Sequence, residues 1–410
     1  MAEKPQHAPL TQFPVVDDEL VIGGIPVSQL AARVGQTPFY AYDREAMSQR
    51  VHHLRELLPE GISLHYAMKA NPMPAVVAHM VDLVDGLDIA SLGEMRVALD
   101  NGADATQMSF AGPGKSDKEL GAAIAAGVTL NIESPGELQR ACDQGERLGI
   151  RPRVAIRVNP DYELKSSGMK MGGGPKPFGI DAEQVPQVLR DLAAMDVHFR
   201  GFHIFSGSQN LKPQSLVEAH NASFELAYRL AEHAATPVEL LNIGGGFGIP
   251  YFPGDRPLDL QPVADNLEPR LGECRARLGE AEVVIELGRY LVGEAGVYVC
   301  EVIDRKVSRE QVFLVTNGGL HHHLAASGNF GQLIRKNYPV VNATRVHGGP
   351  RESATVVGPL CTPLDLLGER MQLAKSQVGD LIAVLQSGAY GYSASPQGFL
   401  SHPPALEVLV

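Results

Sequence analysis

A long alternation of apolar strands and amphipathic helices most constrains the fold of this chain. Candidate strands end near Lys69, Ser91, Ala111, Glu133, Asn159, Ser206, Gly245 and Glu286. Amphipathic stretches lie between them, at 74–84, 92–101, 117–126, 135–148, 181–195, 215–234 and 262–278. Eight strands with a helix between each pair predict a (β/α)8 barrel. Within it, the glycine-rich stretch 168–177 predicts a mobile loop.

A second domain is indicated from Gly296, where the alternation of strands and helices ends. The β-rich segments that follow are joined by Gly, Pro and Asn turns, at 297–303, 312–316, 354–357, 381–385 and 406–410. They predict a separate antiparallel β domain. The N-terminal residues, with a hairpin and a brief helix, are expected to join it, because chain ends often meet. The predicted division is a barrel over 37–290 and a β-sandwich-like domain from 1–36 with 291–410.

Charge and composition exclude several classes of function. The formal net charge is -12 and no block of Lys and Arg is present, so neither nucleic acid nor a membrane surface is an expected partner. No apolar run approaches the roughly 20 residues of a membrane span, and the N-terminal residues resemble no targeting signal. We therefore expect a cytoplasmic protein. The four cysteines show no metal-ligand or disulfide spacing, and the adjacent His321, His322 and His323 favour a loop or pocket lining over a metal site.

Polar residues gather where the predicted strands end. A (β/α)8 enzyme places its active groups at the carboxyl ends of its strands. The residues found there are Lys69, Asp88, Ser91, Glu133, Arg157, Asn159, His203, Ser206, Ser208, Glu286 and Arg289. Their clustering predicts an active site at this rim.

Lys69 lies in the stretch YAMKANP, flanked by alanines rather than by acids. An amine that loses water can lower its pKa and attack a carbonyl, which is how an aldimine with pyridoxal phosphate is made. The alternative is a lysine at a strand end that extends into solvent. Lys69 is therefore a candidate for covalent chemistry.

The stretch GGGFG at 244–248 exposes backbone N–H groups after a strand, which suits a phosphate or a tight turn. It lacks the dinucleotide spacing G-x-G-x-x-G.

Glu286 could keep a pyridine nitrogen protonated, and Arg289 could hold a phosphate or carboxylate, although the two could also pair with each other. Cys361 could be a catalyst or a small buried hydrophobe, and Tyr390 could bind phosphate or only pack.

Taken together, these stretches resemble the fold-type III pyridoxal-phosphate decarboxylases, the family of diaminopimelate and ornithine decarboxylases, which share the alanine-racemase-like barrel. The resemblance extends from Thr37 to Tyr392. It implies that Lys69 forms the Schiff base with pyridoxal 5'-phosphate and that Cys361 donates a proton across a homodimer interface. The residues it implies for cofactor binding are Lys69, Asp88, Arg157, Phe205, Ser208, Gly245, Gly246, Glu286, Arg289 and Tyr390. Those it implies for substrate binding are Arg289, Thr362 and Asp365.

Two positions depart from the family pattern. Phe205 stands where the family has a histidine that stacks on the cofactor ring, and phenylalanine can also stack. Thr362 stands where the family has an acid that recognises a distal ammonium, and a hydroxyl cannot neutralise a second amino group. With GFHIFSGSQN at 201–210, these departures resemble the decarboxylases associated with exosortase A and exopolysaccharide gene clusters, a subgroup thought to act on a substrate held by an acyl carrier protein.

The expected reaction is decarboxylation of an L-amino acid or a carrier-bound aminoacyl group. The alternatives are a diaminopimelate decarboxylase of lysine biosynthesis, an amino-acid racemase on the same barrel, and an inactive cofactor-binding regulator. A racemase is disfavoured because Glu286 makes the ring a full electron sink. The regulator is disfavoured by the joint presence of Lys69, Glu286, Arg289 and Cys361.

Overall fold

The computed structural model describes residues 5–162, 169–170 and 172–410. The chain divides into two compact units. We call the unit formed by Val51–Gly248 and Leu258–Gly288 the barrel unit, and the unit formed by Met1–Arg50, Ile249–Pro257 and Arg289–Val410 the β unit. In the described part of the chain, no helix combines the length and the apolar character needed to cross a membrane.

The barrel unit contains a closed parallel barrel. Its strands, numbered one to eight along the described chain, are Ile62–Ala67, Gly86–Ile89, Met108–Phe110, Thr129–Ile132, Arg153–Asn159, His198–Ile204, Leu240–Gly245 and Glu282–Leu287. Each strand pairs in parallel with the next, and strand eight pairs with strand one, which closes the cylinder. The predicted (β/α)8 barrel is confirmed, and each predicted strand end lies within about two residues of the observed one.

Helices follow the barrel strands much as the amphipathic stretches predict. Their bounds are Pro74–Val81, Leu92–Asp100, Asp117–Ala126, Pro135–Leu148, Val185–Leu192, Pro213–Ala231 and Gln261–Leu278. Serine side chains begin several of them, because the oxygens of Ser91, Ser116 and Ser134 accept hydrogen bonds from the first free backbone N–H groups. Ser116 and Glu119 form a full capping box. These caps fix where the chain turns from the rim into these three helices.

Short elements complete this unit. They are the 3-10 turns Met68–Ala70 and Ala105–Gln107, strand Ile180–Asp181 beside strand five, and the antiparallel pair Met169–Lys170 with Gly207–Ser208. Part of the predicted mobile loop at 168–177, namely residues 168 and 171, lies outside the described residues. Asn159 contacts the rest of that stretch, since its Nδ2 donates to Gly174 O at 2.9 Å and its Oδ1 accepts from Gly173 N at 3.1 Å.

The β unit is built on a connected sheet. Its strands among the described residues are Phe39–Tyr42, Gly296–Ser308, Gln311–Thr316, Val340–Asn342, Arg351–Val357, Leu366–Ala374, Leu381–Val384 and Leu406–Leu409. Most pairs are antiparallel, as predicted. However, Gln311–Thr316 with Arg351–Val357, and Leu406–Leu409 with Phe39–Tyr42, are parallel, so the sheet is mixed.

Smaller elements surround this sheet. They are the strands Val15–Val16, Glu19–Ile22 and Ile25–Pro26, the helices Val27–Val34 and Arg289–Val292, and the 3-10 turns Gly293–Ala295 and Phe399–Ser401. The core of the unit joins side chains from both ends of the chain, among them Ile22, Leu30, Val297 and Ala383. The N-terminal hairpin region therefore packs with the C-terminal sheet.

The division between the units differs from the predicted one at residue 37. Phe39–Tyr42 pairs with Gly296–Ser308 and lies in the β unit, which extends to Arg50. Helix Arg44–Leu57 then crosses the division. The sequence pattern missed this because all four side chains of Phe39–Tyr42 are buried, and a short apolar run looks the same in a barrel and in a mixed sheet.

Candidate active site

Lys69 and Glu286 lie at the same rim of the barrel. Glu286 on strand eight is in register with His65 on strand one, and Lys69 follows strand one in the turn Met68–Ala70. Lys69 Nζ lies 5.8 Å from the centre of the Phe205 ring, which follows strand six. The structure therefore places a primary amine, a carboxylate and an aromatic ring at the carboxyl ends of the strands.

Glu286 is held as a buried carboxylate. Its side chain is 7% exposed, its Oε2 accepts a hydrogen bond from Asn242 Nδ2 at 3.0 Å, and His203 Nε2 lies 3.0 Å from the same oxygen. Burial alone would raise the pKa of Glu286. The positive charges of His203, Lys69 and Arg157 outweigh it and lower that pKa well below its usual value. Glu286 is therefore ionised at neutral pH, as a group must be to keep a pyridine nitrogen protonated.

Arg157 is fixed by Glu133. Its NH1 donates to Glu133 Oε1 at 2.7 Å, and both side chains are buried. The same carboxylate accepts from Gly112 N at 2.5 Å and from Gly179 N at 3.1 Å. Burial would raise the pKa of Glu133, but Arg157 and these donors lower it. Glu133 thus ties neighbouring rim loops to the guanidinium.

Asp88 belongs to a second buried group on the neighbouring strands. Its Oδ1 accepts from Ser109 Oγ at 2.5 Å and lies 3.4 Å from His65 Nδ1. Asn131 Nδ2 donates to Ser109 Oγ at 3.1 Å and extends the group. Asp88 Oδ2 is buried and has no hydrogen-bond partner among the described residues, so it can accept one from a bound group.

The loops after strands six and seven fit a phosphate. Gly244 and Gly246 have φ of +75° and +76°, which favours glycine, and a Cβ on Gly246 would collide with Gly207 O. A Cβ on Gly245 would likewise collide with the backbone of Glu286. Ser208 Oγ is buried without a hydrogen-bond partner in the described chain. Close-approaching backbone and a free hydroxyl suit a phosphate with three acceptor oxygens.

Other predicted site residues lie in the β unit. Arg289 NH1 donates to Tyr251 Oη at 2.9 Å, and its Cζ lies 4.6 Å from the centre of the Tyr390 ring. Burial would lower the pKa of Arg289, but the surrounding tyrosines raise it. Arg289 belongs to an aromatic group within its own unit, and Glu286 is engaged by Asn242 and His203 within the barrel unit.

The loop at 358–365 carries Cys361, which is exposed, and Thr362. Asp365 is buried, and both carboxylate oxygens are engaged, since Oδ1 accepts from Leu320 N at 2.6 Å and Oδ2 from Leu360 N at 2.8 Å. Burial raises the pKa of Asp365. Thr362 and Asp365 line a groove of about 400 Å³. In this structure Asp365 organises the loop on which Thr362 lies.

The histidines at 321–323 are buried in the same unit. His322 Nε2 lies 2.8 Å from Pro403 O, and His323 Nε2 lies 2.9 Å from Ser387 Oγ. Within the described chain, no group of three or more His, Cys, Asp or Glu is arranged to hold a metal ion. The three histidines lie buried in the turns that follow strand Gln311–Thr316.

Sequence reasoning missed several polar residues around the rim, namely His65, Ser109, Asn131 and Asn242. They lie within strands rather than at strand ends. A signal was present at Asn131, because it lies two positions before Glu133 and side chains two apart along a strand share a face.

Comparison with known proteins agrees with this geometry. Residues 44–293 match the family model described as "Pyridoxal-dependent decarboxylase, pyridoxal binding domain". The L-glutamyl-[BtrI acyl-carrier protein] decarboxylase of Niallia circulans is 37% identical over 380 residues, which cover 91% of this chain and 89% of that protein. The diaminopimelate decarboxylase of Aquifex aeolicus is 31% identical over 397 residues, covering 96% and 91%. The crystal structure of AQ1208 from Aquifex aeolicus superimposes with a TM-score of 0.83 at 29% identity, covering 97% of this chain and 92% of that one.

Proposed function

Because the chain belongs to the pyridoxal-dependent decarboxylases, we propose that it decarboxylates an L-aminoacyl group carried by an acyl carrier protein. The enzyme is a carboxy-lyase whose cofactor is pyridoxal 5'-phosphate. The α-carboxylate is the group that leaves, so it must be free. The thioester link to the carrier therefore has to be made through a side-chain carboxyl.

The observation that carries this choice of substrate is the loop at Cys361. Thr362 is uncharged, and both oxygens of Asp365 accept hydrogen bonds from backbone N–H groups. Thr362 cannot neutralise the distal ammonium of diaminopimelate, lysine or ornithine, and an unpaired ammonium is costly to bury. A side chain that ends in a neutral thioester needs no such partner. The 37% identity to a carrier-protein glutamyl decarboxylase supports the same choice.

We assign the cofactor site to the residues that the family resemblance implies. Lys69 binds the cofactor covalently, Phe205 stacks on its ring, and Glu286 keeps the ring nitrogen protonated. Ser208, Gly245 and Gly246 bind the phosphate, and Arg289 and Tyr390 are further ligands of the same phosphate. Asp88 and Arg157 contact the ring substituents. When bound, pyridoxal phosphate supplies an electron sink for the carbon that loses carbon dioxide.

The residues of the chain then direct the reaction. The anionic Glu286 holds a proton at the ring nitrogen, and Arg289 orients a carboxylate or phosphate through its planar fork. Lys69 or Cys361 returns a proton to the α-carbon. We assign Cys361 to the site of the partner subunit in a homodimer, and we place the reaction in the cytoplasm, in exopolysaccharide biosynthesis.

Carbon dioxide release tests the proposal. The purified enzyme with pyridoxal phosphate is offered an acyl carrier protein loaded with L-glutamate through its side chain, and in parallel free L-glutamate, diaminopimelate, L-lysine and L-ornithine. We expect release from the carrier-bound substrate, and its loss in Lys69→Ala together with the visible absorbance of the lysine-bound cofactor. A higher kcat/KM with free diaminopimelate would refute the substrate assignment and leave the cofactor assignment intact.

Diaminopimelate decarboxylase is the second candidate, favoured by the 31% identity to the Aquifex aeolicus enzyme over almost the whole chain. The substitution Thr362→Asp separates the two candidates. If the carrier-bound substrate is the natural one, the new carboxylate gives activity toward diaminopimelate that the parent enzyme lacks. If the parent already turns over diaminopimelate, Thr362 does not select against a distal ammonium.

A further inference from the structure

The interior of the barrel changes from apolar to polar just below the rim. Ala155, Leu240 and Val284 form an apolar cluster, and two residues further along the same strands stand Arg157, Asn242 and Glu286 on the same face. The inward-facing residues at or near that level, one from each strand of the described barrel, are His65, Asp88, Ser109, Asn131, Arg157, His203, Asn242 and Glu286. We call this set the polar layer. Layers inside such barrels are usually filled by branched apolar side chains. A layer made of polar and charged side chains is therefore unusual.

Each buried carboxylate of the polar layer has its own histidine. Glu286 lies 3.0 Å from His203, and Asp88 lies 3.4 Å from His65. All four side chains are at most 8% exposed. A buried carboxylate without a compensating charge would cost several kcal/mol, so each imidazole is placed where it can supply one.

His65 connects the two pairs. Strand one lies between strands two and eight, so His65 is flanked by Asp88 on one side and is in register with Glu286 on the other. The backbone leaves room for its ring, because Gly86 is its partner on strand two and a Cβ there would collide with the imidazole. The sequence therefore places a histidine and a glycine as a matched pair inside the barrel.

We propose that His65 is a positioning residue of the cofactor site, which as an imidazolium holds Asp88 oriented so that Asp88 Oδ2 is presented to the bound cofactor. Asp88 Oδ1 is already engaged by Ser109 and His65, whereas Oδ2 is buried without a partner among the described residues. This inference rests on the proposed placement of the cofactor at the carboxyl ends of the strands. His65 acts through Asp88 and does not touch the reacting atoms.

The charges around His65 support this role. Burial alone would lower the pKa of His65, but Asp88 on strand two, and Glu282 and Glu286 on strand eight, raise it above 6.5. A histidine with a raised pKa in the folded protein contributes stabilisation that is fully present below the unfolded pKa and is lost as the pH rises through the folded pKa. The interaction between His65 and Asp88 should therefore weaken toward alkaline pH.

The first test measures the charge of His65 directly. Histidine-labelled full-length enzyme is titrated by NMR, and the His65 resonance is assigned from the spectrum of His65→Asn. We expect it to titrate above pH 6.5 in the parent and below pH 6.5 in Asp88→Asn, where burial is no longer offset by that carboxylate. If His65→Asn does not fold, His65 is assigned as the buried histidine whose resonance shifts in Asp88→Asn. A His65 that stays neutral at pH 6.5 in the parent overturns the proposal.

The second test measures the dissociation constant of pyridoxal phosphate across this pH range. We expect His65→Asn to bind the cofactor about fivefold more weakly below pH 6.5, and the ratio to the parent to fall toward one as the pH rises. A purely structural defect would give the same ratio at every pH and would overturn the proposal. His198→Asn is the matched control, because His198 pairs with Glu239 at 2.8 Å in an exposed position at the start of strand six. Both tests are independent of turnover, so they can fail while the decarboxylase assignment stands.

Discussion

The ion pair between Glu133 and Arg157 allows a quantitative prediction for the substitution Glu133→Gln. The side chains are 2% and 8% exposed, and removing one partner of a buried pair typically costs about 3 to 5 kcal/mol. Glutamine retains one acceptor oxygen for the three donors of Arg157, Gly112 and Gly179. We therefore expect the free energy of unfolding to fall by about 3 kcal/mol, at the lower end of that range.

Urea unfolding followed by circular dichroism measures this loss, with Glu239→Gln as the control. Glu239 also pairs with an arginine, Arg200, at 3.2 Å and with His198 at 2.8 Å, but its side chain is 45% exposed, so its loss should cost at most about 1 kcal/mol. The pKa of Glu133 is lowered in the folded protein, so its stabilisation is present above the ordinary value of 4.5 and is lost as the pH falls through the folded pKa. The difference between parent and Glu133→Gln should shrink in acid. A loss no larger than that of the control, or one unchanged in acid, would refute the reasoning.

Further predictions concern the cofactor site. Glu286→Gln should lower kcat by about 100-fold while cofactor absorbance persists, because the ring nitrogen loses its anionic partner; an unchanged kcat in steady-state assays would contradict this role. Ser208→Ala should weaken pyridoxal phosphate binding by about tenfold, since a hydrogen bond to a charged group is lost; equilibrium dialysis checks it, and an unchanged dissociation constant would place the phosphate elsewhere. Gly246→Ala should abolish cofactor binding, whereas Gly24→Ala, with a nearly equal φ of +75° and open space around it, should cost only the backbone strain of about 1 to 2 kcal/mol. Equal effects of the two glycine substitutions on cofactor binding would contradict the phosphate loop.

The barrel could be predicted from the sequence because its signals are local. Each strand is a short apolar run, and three of the helices begin with a serine cap, such as Ser91 or Ser116. Helix Asp117–Ala126 and helix Pro135–Leu148 were predicted with their observed bounds for this reason. The rim position of Lys69 and Glu286 followed from the strand ends alone.

The β unit was less predictable because its pairings are not local. Strand Leu366–Ala374 carries Glu369 and Arg370 on its exposed stretch and lacks a clear apolar run. The parallel pairing of Leu406–Leu409 with Phe39–Tyr42 joins segments from opposite parts of the chain. No spacing within either segment specifies its partner.

The polar layer could not be predicted from strand ends. His65 and Asn131 lie inside short parallel strands whose two faces are both covered, so the residue type alone does not tell which face each one occupies. Only the closure of the barrel turns them inward. The role of Asp365 was equally hidden, since its hydrogen bond to Leu320 N depends on a loop that is distant in sequence.

The strand Phe39–Tyr42 has a consequence for the order of events on the ribosome. Its neighbours in the sheet, Gly296–Ser308 and Leu406–Leu409, are synthesised after every strand of the barrel. The four residues of Phe39–Tyr42 are therefore synthesised well before either of the strands that pair with them. Phe39–Tyr42 can join its sheet only after all eight barrel strands have been synthesised, because the sheet is built from both arms of the polypeptide.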